Sequence, residues 1–339
     1  MAAAGASGLY VNPNTGAAQA GLAPFRNAII NGDMRINQRG TSTNLASLTA
    51  VATATPGSWV VDRWNVLRTG FVAGGVIGQG TNLTVSDLPF SDTGVKTFAR
   101  IGRLSGNTSV NAITMQYSME SQDCYRFVDK IVTLSFYYRT GANFSGTSIS
   151  SAIRTGTGTD EAMRGTFTGN TVSGTIASNP STSWQKITLT CTLGTNINQI
   201  GLDIRFTPVG TAGAADHFDI TGVQLELGSV ATPFEVRPYP VELQMCMRYY
   251  VRDVYNLHGG GVSISNILDT IVGIYYKYPT TMRTVPILTF LGTPYRSGAT
   301  RDAEQITPSY FIWGRQQYGG GTGTVYAFAP GGCELNAEL

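Results

Sequence analysis

The segment KIVTLSFYYRTG, residues 130–141, places Val132, Leu134, Phe136 and Tyr138 on one side of an extended chain and Thr133, Ser135, Tyr137 and Arg139 on the other. Successive strand side chains point to opposite faces, so this period of two specifies a strand with one apolar and one wet face. WQKITLTCTLG, residues 184–194, repeats the pattern, with Ile187, Leu189, Cys191 and Leu193 inward and Lys186, Thr188, Thr190 and Thr192 outward. GLDIRF, residues 201–206, sets Leu202, Ile204 and Phe206 against Asp203 and Arg205. Strands of this kind pair antiparallel and bury one face. In HFDITGVQLEL the apolar parity moves from Phe218 and Ile220 to Val223, Leu225 and Leu227, which predicts a β-bulge near Thr221 and Gly222. The Gly/Ser/Thr stretches at 141–151 and 168–183 read as loops between strands.

The organisation follows from composition shifts along the chain. Residues 1–25 carry no charged side chain, are rich in Ala and Gly, and read as a docking arm with little propensity for helix or strand. Residues 26–236 form the strand-rich first unit. VRPYP, residues 236–240, marks a boundary, because Pro238 and Pro240 stiffen the chain and oppose helix. In the following VELQMCMRYYVRDV, Leu243, Met247 and Tyr250 are spaced by four and three, as in a short amphipathic helix leading into a strand. IVGIYYKYP, VPILTFLG, SYFIWG and TVYAFAP then make residues 237–339 a second, smaller all-β unit.

Several function classes are disfavoured. The 339 residues include 23 basic and 21 acidic side chains, a net charge of +2, so no polyelectrolyte surface for nucleic acid is expected. Arg35, Arg39, Arg63 and Arg68 read as salt-bridged or solvated residues. Cys124, Cys191, Cys246 and Cys333 lie far apart and read as free, mostly buried thiols. With two histidines in the chain, neither a zinc site nor a catalytic His217 or His258 is expected. Asp62, Asp203, Asp219, Glu226 and Glu235 could supply a hydrolytic pair, but nothing in their spacing selects one. The glycine runs at 259 and 319 carry no phosphate-loop lysine. No catalytic residue, metal, cofactor, export signal or membrane span is therefore expected.

The chemically suggestive residues are aromatic. A Tyr or Trp face bordered by Asp, Asn and Arg holds a sugar ring by stacking and by hydrogen bonds to its hydroxyls. Trp59, Trp64, Tyr137, Tyr138, Trp184 and Trp313 lie on or beside expected strands, and Trp64 and Tyr138 share parity with core positions. Tyr137, on the outward face beside Arg139, is the leading candidate for an exposed ligand contact. Arg139, Trp59 and Asp62 complete the candidate set.

The order of segments carries a resemblance. NAIINGDMRINQRGT (27–41), WVVDRWN (59–65), KIVTLSFYYRTG, WQKITLTCTLG, INQIGLDIRF and FDITGVQLELGSVATPFEVRPY look like the layout of bacteriophage tail-fibre and related virion surface proteins. Their first module resembles carbohydrate-binding jelly rolls, and MCMRYY (245–250) with YPTTMRTVPILTF (278–290) is similar to the β-domains that follow it. The resemblance implies an all-β protein, a jelly-roll β-sandwich followed by a smaller β-sandwich domain. It also implies a virion structural protein that docks to other virion proteins through residues 1–25, as a homotrimer in the usual fibre arrangement. Host surface glycan is a further implied partner, and no nucleic acid or membrane insertion is implied. Such modules often hold a structural calcium on a pair of acidic residues in the closing strand. Here Thr221 and Gly222 occupy those positions, with Asp33 and Asp219 nearby.

Overall fold

The computed structural model describes residues 24–40, 58–68, 94–163, 166–253, 271–292, 301–316 and 332–339, with short pieces at 9–11, 18–20, 49–51, 75–81, 83, 257–258, 262–265, 295–297 and 322–329. The remainder of the arm lies outside the described residues. Within it, β1 (Leu9–Val11) and β2 (Ala18–Ala20) pair antiparallel, so the arm contains a hairpin that its composition did not suggest.

Two six-stranded antiparallel sheets form the first unit. The second sheet begins with β3 (Thr49–Val51). The first sheet contains β4 (Ser58–Val61), β5 (Trp64–Arg68), β8 (Ile113–Ser118), β10 (Ile149–Gly156), β11 (Thr171–Ser178) and β13 (Gln199–Phe206), in the order β11-β10-β13-β8-β5-β4. The second adds β6 (Gly75–Gly80), β7 (Phe98–Arg103), β9 (Ile131–Thr140), β12 (Gln185–Thr192) and β14 (Asp216–Leu227), in the order β12-β9-β14-β7-β6-β3. From β8 to β14 the chain passes repeatedly from one sheet to the other, the connectivity of a jelly-roll sandwich. Inward residues of both sheets fill the space between them, with Trp64, Met115, Leu202 and Ile204 facing Ile101, Phe136, Phe218 and Leu225. The four alternating segments adopt the expected strands.

The bulge lies where the parity break places it. Thr221 faces Tyr137 and Gln224 faces Ser135, so two residues oppose Phe136 alone. Gly222 has φ +62°, a conformation that costs an L-residue about 1–2 kcal/mol. The loop reading of 168–183 is corrected: Thr171–Ser178 is β11, the edge strand of the first sheet. An edge strand needs no continuous apolar face, so Thr and Ser there conceal the strand.

The NGD opening is structural. Asn31 Nδ2 donates to the carbonyls of Ile36 and Asp62, each at 2.9 Å, its Oδ1 accepts from Ile36 N, and its carbonyl accepts the Trp64 indole N–H. A side chain at Gly32 would collide with the Val223 carbonyl.

Helix α1 (Tyr239–Met247) starts inside VRPYP, where the prolines were expected to oppose helix. Proline lacks only an N–H that a first helical turn leaves unpaired, so it is tolerated there. Leu243, Met245 and Cys246 pack on the first core, whereas Met247 packs on the second. The cores part between Tyr249 and Val251.

The second unit is also all-β. Its sheet β15-β24-β19 joins β15 (Tyr250–Asp253), β24 (Cys333–Asn336) and β19 (Ile287–Phe290). A second sheet, β18-β22-β21, joins β18 (Ile271–Lys277), β22 (Tyr310–Gln316) and β21 (Arg301–Ile306). The strand β23 (Thr322–Ala329) pairs with β16 (Leu257–His258), β17 (Val262–Ser265) and β20 (Tyr295–Ser297). Buried charges tie the units together. Arg63 pairs with Glu338, Arg39 bridges Asp62 (3.3 Å) and Glu338 (3.2 Å), and Arg248 grips Glu120 with two bonds of 2.8 Å. Arg35 likewise meets Asp33 at 3.1 Å, so these three of the four singled-out arginines are salt-bridged; the side chain of Arg68 lies outside the described residues.

Candidate functional site

The open face of the first sheet carries a polar row. Cross-strand partners point to one face, and the register aligns Trp59 with Asn65, Asn65 with Gln116, and Gln116 with Asp203 across β4, β5, β8 and β13. The next row adds Leu67, Thr114 and Arg205. The alternation that buries Ile113, Met115 and Tyr117 turns Thr114 and Gln116 outward, and the alternation in β13 does the same for Asp203 and Arg205.

A slot of about 240 Å³ lies over part of these rows, reaching Gln116, Asp203, Leu67, Thr114 and Arg205 but neither Trp59 nor Asn65. Thr114, Gln116, Asp203, Arg205 and Arg154 line its floor, and Met163, Thr166 and Asn170, from the segment after β10, form one wall. Arg154 Nε donates to Asp203 Oδ2 at 3.0 Å. Arg205 approaches Asp203 Oδ1 only to 3.9 Å, and its side chain is 45% exposed. Asn65 Oδ1, Gln116 Oε1 and Asp203 Oδ1 are buried oxygens without a hydrogen-bond partner among the described residues. Leaving such an acceptor unpaired costs about 1–3 kcal/mol. All three atoms are sealed from solvent, so they belong to the packing of the sheet rather than to the open lining of the slot.

Trp59 stands half-buried at the far end of the row, with the Arg39 guanidinium over its ring at 4.5 Å. Asp62 is fully buried behind it, accepting from Gln38 N and Nε2 and pairing with Arg39. Burial pushes its carboxyl up to about 6 despite the arginine.

Tyr137 and Arg139 lie on the other sheet, so the four expected site residues do not converge. Tyr137 faces outward as its parity requires, but the expectation that it is exposed is corrected. Phe98, Trp184 and Phe234 cover it in a small second-sheet cluster, leaving it 8% exposed. Arg139 donates to Asp219 at 2.8 Å, and its guanidinium lies over Trp184 at 4.9 Å. Arg100 donates to both oxygens of the same carboxylate, at 2.6 and 2.8 Å.

The other acidic candidates are also engaged in the fold. Glu226 accepts from Gln224 and Thr232, and Glu235 accepts from the backbone N–H groups of Phe25 and Asn27. His217 is packed against Gly102 and Gly141, and burial lowers its pKa to about 4. Among the described residues no three His, Cys, Asp or Glu side chains are grouped to hold a metal. The calcium position does not fit this chain: Asp33 pairs with Arg35, Asp219 with two arginines, and the Thr221 hydroxyl donates to Thr97 O at 2.7 Å. No described helix is long and apolar enough to cross a membrane. A larger recess of about 320 Å³ lies beside Phe25, Tyr125, Arg126 and Arg237.

No family model and no curated protein matches the chain. Solved structures to which it is similar include a bacteriophage CBA120 tailspike enzymatically active domain, at 13% identity over 61% of this chain and 22% of that one (TM-score 0.35). Another is a carbohydrate-binding module of the β-sandwich superfamily, at 11% identity over 52% of this chain and 61% of that one (TM-score 0.34). A third is the module TmCBM61 in complex with β-1,4-galactotriose, at 9% identity over 60% of this chain and 99% of that one (TM-score 0.31). This chain thus spans under a quarter of the tailspike chain and under two thirds of the superfamily module. Likeness at this level assigns neither family nor activity. The molecule's own topology and slot define a jelly-roll sandwich with a polar recess on one sheet.

Proposed function

We propose that the protein is a non-catalytic glycan-binding surface protein and that the slot on the first sheet is its binding site. The slot's exposed polar lining, Thr166, Asn170 and Arg205, carries this reading, because a saccharide offers closely spaced hydroxyls that such groups hydrogen-bond. Leu67, also in the lining, supplies apolar surface beside them. Engagement of Asp62, Asp219, Glu226 and Glu235 in internal pairs and hydrogen bonds supports binding over hydrolysis. The setting we propose is the surface of a virus particle, with residues 1–25 attaching to other virion proteins in a homotrimeric assembly, a reading that rests on the order of sequence motifs. Affinity electrophoresis of the full chain through gels containing soluble polysaccharides tests the glycan reading. Retardation by at least one polysaccharide, weakened about tenfold by Asn170→Ala, is expected; no retardation in any gel overturns it.

A further inference from the structure

We propose that the loops at one end of the jelly roll, residues 104–112, 141–148, 179–184 and 207–215, form the surface through which copies of this chain meet. This surface gives the proposed assembly its contact, and it rests on that part of the function alone, not on the glycan site. Strand register brings the four loops together: Arg103 faces Asp216, Phe206 faces Ile113, Thr140 faces Phe218 and Ile149 faces Ser178. None of them carries a charged side chain. Neither do residues 69–74, which lie outside the described residues and whose flanking Arg68 and Gly75 face Ile113 and Arg103. Flanking charges, at Arg68, Arg139, Lys186 and Arg205, belong to the strands. The other end of the sandwich is charged, at the Asp62–Arg63 turn and in segments 119–130 and 157–170, and there the second unit attaches through Arg63, Glu120 and Asp160.

The neutral end is also held in place. Arg103, fully buried and paired with Asp216, donates to the carbonyls of Asn107, Ser109, Val209 and Gly210. Gly106 N donates to Ala212 O and Ala212 N to Asn107 O, each at 2.8 Å, which joins two of the loops. Their backbone polar groups are thus used internally, while Leu104, Val110 and Val209 remain 37%, 51% and 53% exposed. A surface ordered beforehand loses little entropy when it is covered. Around a symmetry axis a residue meets copies of itself, so a charge there would face its like and be repelled. Loops without charge avoid that repulsion, and their aliphatic side chains gain by being covered. A partner of different sequence could match charges with opposite ones and would not require an end that has none, and an anionic lipid surface would call for basic residues that these loops lack.

Sedimentation velocity of the full chain over a range of concentrations tests the proposal, with Val110→Asp and Val209→Asp in parallel. The parent is expected to associate as its concentration rises, and either aspartate to weaken association roughly 10- to 100-fold. Because both positions are exposed, their melting temperatures should match the parent's. Mixing Val209→Asp with Val209→Lys should restore part of the association, since opposite charges then meet, whereas a loss through misfolding would not be rescued. Association insensitive to both aspartates, or not rescued by mixing, overturns this surface and leaves the assembly standing. A parent that stays monomeric at every concentration overturns both.

Discussion

Arg63 and Glu338, 275 positions apart, form an ion pair between the first sandwich and the last residues of the second unit. Both side chains are almost wholly buried, and the Arg63 guanidinium also lies 3.5 Å from the centre of the Tyr249 ring. Removing Glu338 leaves the buried Arg63 charge with the Ser118 carbonyl and the Tyr117 and Tyr249 rings but no counter-ion, which costs up to about 3–5 kcal/mol. Glu338→Ala should therefore lower the urea midpoint by that equivalent and let the second unit melt ahead of the first. A midpoint within experimental scatter of the parent would show that the pair does not couple the units.

Tyr137→Ala tests the corrected placement of that side chain. Under Phe98, Trp184 and Phe234, its ring should behave as a core residue, with truncation costing about 3–5 kcal/mol. Glycan binding by the folded variant should be unchanged, because the slot lies on the opposite sheet. Reduced binding at normal stability would relocate the site to the second sheet.

Two glycines should differ in their tolerance of a methyl group. At Gly32 an added Cβ meets backbone, the Val223 carbonyl, whereas at Gly222 it meets the Tyr137 ring at 3.1 Å with φ at +62°. Gly222→Ala should cost about 1–2 kcal/mol, and Gly32→Ala should cost more because the Val223 carbonyl is held by the Asn27 amide and is backbone, not the end of a flexible side chain. Equilibrium denaturation of the two variants gives the order directly; the reverse order would refute it.

Alternation made the sandwich legible because one face of each strand is buried, and Val132, Leu134 and Phe136 state that burial residue by residue. The bulge was legible because a parity break has one simple geometric cause. The slot was not. GLDIRF marks Asp203 and Arg205 as outward, and residues 113–118 alternate in the same way, but which strands become neighbours is fixed by tertiary pairing. Asn65, Gln116 and Asp203 come from three separated segments and become a row only through register. Tyr137 shows the converse error: outward parity does not mean exposed once Phe234, from the segment after β14, folds over the sheet.

His217 should give the fold a measurable pH term. Its folded-state pKa is lowered from 6.5 to about 4, chiefly by burial and also by Arg100 and Arg139, against the opposing pull of Asp219 and Asp216. A depressed histidine contributes stability that is present above pH 6.5 and lost as the pH falls towards 4, because the unfolded chain binds the proton more readily. Asp33 and Asp62, both raised to about 6 by burial, act in the opposite sense: their contribution is present below about pH 4 and lost as the pH rises through 6. The parent profile should consequently be muted. The difference between His217→Asn and parent isolates the histidine, and the variant should gain up to about 3 kcal/mol relative to parent between pH 7 and pH 4. A constant difference, or an imidazole resonance titrating near 6.5, would exclude the buried neutral state.

Gln116 should be a place where the sheet carries an unsatisfied polar group. Its Oε1 is buried without a hydrogen-bond partner among the described residues, so Gln116→Met, similar in volume and free of that acceptor, removes a desolvation cost of about 1–3 kcal/mol. The variant should melt at a higher temperature than the parent. Most core substitutions destabilise, so a gain in stability at a 5%-exposed position separates a relieved polar group from ordinary repacking. If Gln116→Met instead lowers the melting temperature, the amide is satisfied within the sheet.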